Sequence, residues 1–375
     1  MKEYRMTFTN RTRPILLLLA LVGALSLFTA ACGDDDTGGS ATTLVVGALH
    51  VGSVKDNGYN QAMHEGLVEM TKNVKGIKLI EAENVPESAD AERVMENMIQ
   101  QGAKLIFPMS FGYLDPALNV AKKYPEVKFA HPAGFKNADN LATFWSDTTA
   151  MTYLTGIAAA KESKSGKLGW IIGFPIPNIL TSINAFTLGA QTVNPNISVQ
   201  VIVDNAWVDP AKEAEAVNAL ADAGVDVVTM IVDSPATVVQ TADKRGIKSI
   251  GFHCLCVKSV AGKGWITGIG FTWGPLFTKY AQDVINGTFK GENTIGTLES
   301  GYAALADWGP NTTSDTKKLV EQAKADLIAK KVVLFKGPVV DNEGKVRIKE
   351  GETGDLGQLL GATDYLVKGA TGKIK

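Results

Sequence analysis

The sequence predicts an α/β protein of two lobes, each a parallel sheet flanked by helices, and three observations carry that expectation. From Thr43 onward, short β-branched runs alternate with longer segments of helical period, the pattern of strands buried on both faces between helices. The chain has 375 residues, room for about two domains of ~150 residues each. A stretch of the first half also recurs in the second. Val85-Pro-Glu-Ser-Ala-Asp-Ala91-Glu92-Arg-Val94 leads through Met98 and Gly102 to an apolar run at Leu105, and Val208-Asp-Pro-Ala-Lys-Glu-Ala214-Glu215-Ala-Val217 leads through Leu220 and Gly224 to another at Val227. The offset is 123 residues at the start and 122 at the glycines. In each copy a turn opens an amphipathic helix and a glycine closes it before the next strand.

Taken from the N-terminus, Lys2, Arg5, Arg11 and Arg13 precede an apolar run at 15–28, interrupted by one serine. Fourteen residues are fewer than the about 20 that span a bilayer, so residues 1–31 read as a secretory signal peptide. Thr29, Ala30 and Ala31 stand before Cys32. That order resembles a bacterial lipobox, with Thr29 where leucine is usual, and implies that Cys32 is lipidated and anchors the protein to the outer side of the cell membrane. Residues 32–42, with Gly33-Asp-Asp-Asp-Thr-Gly-Gly-Ser40, read as a flexible polar tether. Without residues 1–31 the chain carries 33 basic and 38 acidic residues, a net charge of −5. No basic block lies near aromatics, which argues against nucleic-acid binding.

Parallel strands are expected at 43–49, 77–81, 104–107, 127–130, 141–144, 168–172, 199–203, 225–231, 247–252 and 267–271. The expected N-terminal lobe comprises 43–146 and 274–306, and the C-terminal lobe 147–273 and 307–330. Crossings between them fall near 146–149, 271–274 and 303–309. Residues 331–375 form a tail in which Asp341-Asn-Glu-Gly344, between alternating runs, predicts a hairpin.

Ligands of open α/β sheets bind beyond the carboxyl ends of the strands. Tyr59, Asn60, Ser110, Phe111, Trp145, Phe174, Trp207, Asp233, His253 and Trp273 follow the expected strands and are the candidate ligand-binding residues. Aromatics make up only 7% of the chain, so their recurrence at these loops suits a flat ligand held by stacking, with Asn60, Ser110 or Asp233 reading its polar edge.

Enzyme chemistry is poorly represented. The chain lacks G-x-G-x-x-G, a Walker loop and G-x-S-x-G, and its four histidines, His50, His64, His131 and His253, are dispersed. No catalytic residue, cofactor or metal is expected. His253-Cys254-Leu255-Cys256 puts three metal-ligand types within four residues, but the spacing is narrower than that of common metal loops. A buried structural role or a bridge between the two thiols is the preferred reading.

The Asp56-Asn-Gly-Tyr-Asn60 turn, Ser110-Phe-Gly-Tyr113, Phe174-Pro-Ile-Pro177 followed by Asn184-Ala-Phe-Thr187, Asp209-Pro-Ala-Lys-Glu213 and Asp233-Ser-Pro-Ala236 together resemble the basic-membrane-protein (BMP) family of substrate-binding lipoproteins. The resemblance runs from about Leu44 to the C-terminus. It implies a two-lobed type I periplasmic-binding-protein fold, a purine base or nucleoside as ligand, an ABC permease and its ATPase as partners, and a monomer. Nucleoside-binding relatives carry an aspartate where His253 stands and a lysine in the 271–273 region, both used for ribose. Neither is present here, which points to a free nucleobase or another flat heterocycle. A secreted α/β hydrolase acting on nucleosides, and a ligand sensor signalling to a membrane partner, are the competing readings.

Overall fold

A computed structural model describes residues 44–374; the signal peptide, Cys32 and the tether lie outside the described residues. The first half alternates β1 (Leu44–His50), α1 (Tyr59–Asn73), β2 (Ile77–Ala82), α2 (Ala89–Gln100), β3 (Leu105–Met109), α3 (Leu114–Lys123), β4 (Lys128–Pro132) and β5 (Leu141–Ser146). The second repeats the scheme with α4 (Thr149–Glu162), β6 (Lys167–Ile172), α5 (Pro177–Val193), β7 (Ser198–Val203), α6 (Pro210–Asp222), β8 (Val227–Ile231), α7 (Pro235–Lys244), β9 (Lys248–Gly251) and β10 (Trp265–Phe271). Then come α8 (Gly274–Asn286), β11 (Asn293–Gly296), β12 (Ala303–Leu305), α9 (Ser314–Ile328), β13 (Val339–Val340), β14 (Val346–Ile348), α10 (Leu356–Ala362) and β15 (Ala370–Thr371).

All the described strands except β13 and β14 fall in two sheets with the same internal order. One runs β11-β5-β4-β3-β1-β2 and the other β12-β10-β9-β8-β6-β7-β15. The run β5-β4-β3-β1-β2 thus matches β10-β9-β8-β6-β7, and pairing within both runs is parallel. The sequence echo is therefore structural: α2 and α6 occupy equivalent crossovers. Ser88 Oγ accepts from the Asp90 amide at the head of α2, and Asp209 Oδ1 from the Lys212 amide at the head of α6. Gly102 and Gly224 end the two helices at φ +96° and +85°, a conformation that glycine adopts without a Cβ penalty.

The chain passes between the sheets three times. Two of the passages come after β5 and after β10. The third differs: 303–305, expected in the N-terminal lobe, pairs antiparallel with β10 of the second sheet, so that passage lies earlier, between β11 and β12. The short run Ala303-Ala-Leu305 gave no face preference that would have assigned it. The predicted hairpin forms, with β13 antiparallel to β14 and the Asp341 carboxylate accepting from the Glu343 and Lys345 amides inside its turn.

Buried aromatics fill the space behind β10. Trp273 stacks on Phe271 with centroids 4.9 Å apart and meets Phe144 edge-on at 5.1 Å, and Phe107 packs on Phe277 at 4.8 Å. Each such side chain contributes about 1.5–3 kcal/mol on burial. In the second lobe α4 and α5 cross almost backbone to backbone. A Cβ at Gly156 would lie 2.1 Å from the Phe186 carbonyl oxygen, and one at Gly189 would lie 2.1 Å from that of Tyr153. Among the described residues no helix is long and apolar enough to cross a membrane.

Candidate functional site

Each sheet ends its strands in loops, and loops from both sheets line one small cavity of about 50 Å³, below the ~300–1,000 Å³ of most small-molecule sites, so a ligand enters as the lobes part. From the first sheet come Tyr59, Ser110, Phe111, Ala133 and Trp145; from the second, Ile176, Asn178, Ile179, Ser182, Trp207, Ile231, Asp233, Phe252 and His253, with Thr148 from the passage between them.

Tyr59 is placed by the cap of its helix. The Asp56 carboxylate accepts from the amides of Gly58 at 2.7 Å, Asn60 at 3.0 Å and Gln61 at 3.0 Å, and from Asn60 Nδ2 at 2.8 Å. It thereby satisfies the free N–H groups of the first turn of α1. Burial nonetheless pushes Asp56 above the ordinary aspartate range against those bonds. Gly58 sits so close to the second lobe that a Cβ would lie 2.6 Å from the Asp233 carbonyl oxygen. Tyr59 consequently reaches His253, whose ring it meets edge-on at 5.4 Å.

Ser110 follows β3, and its hydroxyl donates to Glu87 Oε1 at 2.5 Å while the same oxygen accepts from the Gly112 amide at 2.8 Å. Trp145, at the end of β5, packs edge-on against Phe271 at 5.1 Å. Trp207 is backed by Phe174, with centroids 4.9 Å apart, and its carbonyl accepts from the Asp233 amide at 2.7 Å. Aromatic faces from both lobes thus border the same space.

The polar centre of the cavity is Asp233 with His253. Both are buried, 4% and 3% exposed, and the carboxyl Oδ1 lies 4.0 Å from His253 Nε2, beyond hydrogen-bond reach. Neither ring nitrogen of His253 has a partner among the described residues. Burial pushes His253 down to about 3, leaving it neutral, and pushes Asp233 well above the usual carboxylate range, helped by the charges of Asp56, Glu87 and Glu213. Unpaired buried polar groups cost free energy unless a ligand satisfies them. The described lining contains no lysine or arginine, so an anionic phosphate would enter without a counter-charge.

Seven of the ten sequence candidates line this cavity: Tyr59, Ser110, Phe111, Trp145, Trp207, Asp233 and His253. Three sit elsewhere. Asn60 is fully buried and committed to the loop, its Oδ1 accepting from the Gly52 amide at 3.2 Å. Phe174 stands behind Trp207, and Trp273 is wholly enclosed in the aromatic core behind Phe271. Sequence reasoning missed Thr148, Asn178 and Ser182, small polar residues at the starts of α4 and α5 that resemble ordinary helix-terminal residues. Cys254 and Cys256 are joined by a disulfide, one of the two alternatives, a buried structural role or a bridge, that the sequence left open.

Comparison with known proteins fits this architecture. Residues 43–336 match a family described as ABC transporter substrate-binding protein PnrA-like. A purine-binding protein of Brucella abortus is 38% identical over 351 residues, covering 93% of this chain and 97% of that one. An ABC transporter nucleoside-binding protein of Lactococcus lactis is 26% identical over 85% of this chain and 98% of its own. A solute-binding protein of an ABC transporter system from Aeropyrum pernix has the same fold, with a TM-score of 0.66 at 20% identity over 77% of this chain and 92% of that one. The hydrolase reading falls with the family, whose members bind substrates for transport. The chain belongs to the Bmp, or PnrA-like, family: it is an extracytoplasmic substrate-binding protein of ABC transport and not an enzyme.

Proposed function

We propose that this protein captures a free purine-like base between its two lobes and delivers it to the permease of an ABC importer, held at the membrane by a lipid on Cys32. The observation that carries the ligand reading is His253, buried with neither ring nitrogen paired, beside the buried Asp233 and between aromatic faces. A purine offers two flat faces for Tyr59, Phe111, Trp145 and Trp207, and its edge carries both N–H donors and ring-nitrogen acceptors. Asp233 can take the donors, and neutral His253 can serve one donor and one acceptor. The similarity to the Brucella abortus purine-binding protein supports the same class.

Closure follows from differential contact. A base touching both lobes makes all its contacts only when the lobes are together, so binding shifts the population toward the closed state. The hinge segments in this reading are the three passages after β5, β10 and β11, and the lobes are the two sheets with their flanking helices. The protein acts as a monomer.

Calorimetry with adenine, guanine and their nucleosides tests the reading. The bases bind at least as tightly as the nucleosides; a nucleoside preference above about tenfold, or 1.4 kcal/mol, overturns it. For the anchor, the exported Cys32→Ala protein leaves the membrane fraction, and full retention there overturns the lipid assignment.

A further inference from the structure

His253 reaches the cavity from a strained turn. Its φ is +73°, which a residue with a Cβ rarely adopts. The Cys254 amide donates across it to the Phe252 carbonyl at 3.1 Å, giving a γ-turn with positive central φ, a rare and strained form. Such conformations persist where the surroundings over-determine them. On one side, the His253 carbonyl accepts from the Phe271 amide of β10 at 2.9 Å. On the other, the chain is closed by the disulfide between Cys254 and Cys256, which spans the single residue Leu255. Past it, a 3-10 turn, Leu255–Val260, lies directly on β10: a Cβ at Gly270 would be 2.4 Å from the Leu255 amide nitrogen.

The two sulfurs are unequal. Cys254 is 2% exposed, whereas Cys256 is only partly buried. Cys254 Sγ also lies 3.9 Å from Glu65 Oε2 on α1, a helix of the other lobe. In the bridged state that sulfur has no hydrogen to give. As a thiol it gains one, and the Glu65 carboxylate stands within reach to accept it.

We propose that Cys254 and Cys256 form a thiol–disulfide switch that sets the position of His253, so that the affinity of the cavity for its ligand depends on the redox state of the pair. The affinity part rests on the cavity being the ligand site. The reductant is a dithiol of the thioredoxin class or a small-molecule equivalent. Its thiolate attacks Cys256 Sγ, forming a mixed disulfide while the Cys254–Cys256 bond breaks; Cys254 leaves with the electron pair and takes up a proton. The second thiol of the reductant then displaces Cys256 as a thiolate, which also takes up a proton. Two electrons and two protons have passed to the protein, and the reductant has become a disulfide. The loop is released from the constraint beside His253, and the strained turn loses one of its two supports.

The test uses the full chain, isolated oxidised, and compares it with the same protein reduced by dithiothreitol and with the Cys254→Ser/Cys256→Ser variant. Adenine is the calorimetric probe, and alkylation followed by mass spectrometry counts the thiols. Reduction is expected to weaken adenine binding about tenfold, with the double variant equally weak and indifferent to dithiothreitol. Equal affinity of the oxidised and reduced protein overturns the proposal, as does finding both thiols free before reduction. A ligand-independent measurement separates the switch from the purine reading: hydrogen exchange at the Cys254 amide is expected to accelerate at least tenfold on reduction. If adenine binds neither form, the ligand reading fails and the exchange rate decides the switch. Unchanged exchange overturns it.

Discussion

The carboxyl of Asp233 faces the imidazole of His253 across 4.0 Å with no proton shared between them. They come from the ends of neighbouring strands, β8 and β9, which are parallel in the second sheet. A charged aspartate would be expected to bind a charged histidine at closer range. Here burial favours the neutral form of both, and the pair presents a donor and acceptors to the cavity rather than to each other. It is an arrangement for recognition at a cost in stability.

That cost gives the first prediction. Asp233 has a folded-state pKa above its unfolded value, so the folded protein keeps a proton that the unfolded chain has already released. Its stabilising contribution is therefore present at low pH and lost as pH rises through the folded value. Asp233→Asn removes the penalty. In thermal melts without ligand at pH 8 the variant is more stable than the parent, and its advantage shrinks toward pH 4. Its affinity for adenine falls, because the amide replaces one of the two carboxyl oxygens with an NH2 group that donates and cannot accept. A variant less stable than the parent at pH 8 contradicts the account.

Stacking supplies the second. Tyr59 is held by the cap of α1 and touches His253 of the opposite lobe, so truncation removes one face and one cross-lobe contact. Base stacking on an aromatic is worth on the order of 1–3 kcal/mol. Tyr59→Ala accordingly weakens adenine binding about 5- to 150-fold, measured by calorimetry, and, because Tyr59 is buried, also lowers the melting temperature. Unchanged affinity would remove Tyr59 from the site.

Much of this fold was legible in the sequence because parallel strands buried on both faces read as uninterrupted apolar runs, and because the α2 and α6 segments repeat. The cavity was legible in part for a related reason: a residue just after such a run has few places to go. What the pattern could not supply was side-chain direction once the chain leaves the strand. Asn60 and Tyr59 are adjacent in one motif, yet the helix turns Asn60 back to its own loop. Trp273 follows Phe271 by two residues, which in a continuing strand would place both on one face; the start of α8 instead carries Trp273 behind Phe271. Asn178 and Ser182 were invisible because they lie on a helix whose buried face is set by its crossing with α4.

That crossing yields a stability prediction whose sign opposes local preference. Glycine inside a helix is about 1 kcal/mol worse than alanine, so Gly156→Ala would stabilise an isolated α4. In the folded protein the new methyl meets the Phe186 carbonyl oxygen at 2.1 Å, and that atom belongs to backbone that cannot rotate away. Overpacking of this kind costs about 1–3 kcal/mol. The helices must separate, and Asn178 and Ser182 on α5 move with them. Gly156→Ala therefore lowers both the urea midpoint and the affinity for adenine; a raised midpoint would show that the crossing has slack.

The last prediction concerns Glu213, buried at the head of α6 and pushed up to about 7, mainly by burial, with the Asp204 and Asp209 charges adding to the shift while bonds from the Asp209 amide and Ser234 oppose it. The unfolded chain titrates near the ordinary glutamate value of about 4.3. Between those two values the folded state binds the extra proton, so stability declines as pH rises through the window and the loss is complete above about pH 7. The shift corresponds to a loss on the order of 3–4 kcal/mol. Asp204 behaves in the same sense, raised to about 6 by burial and by Asp209, so the parent alone does not isolate either acid. The difference between parent and Glu213→Gln does, because glutamine keeps an oxygen to accept from the Asp209 amide, a 3.3 Å bond in the parent, and carries no charge at any pH. Urea denaturation at pH 5 and pH 8 should find the variant close to the parent at the lower pH and more stable at the higher. Curves that run parallel across the range would show that Glu213 is ionised at no cost in the folded protein.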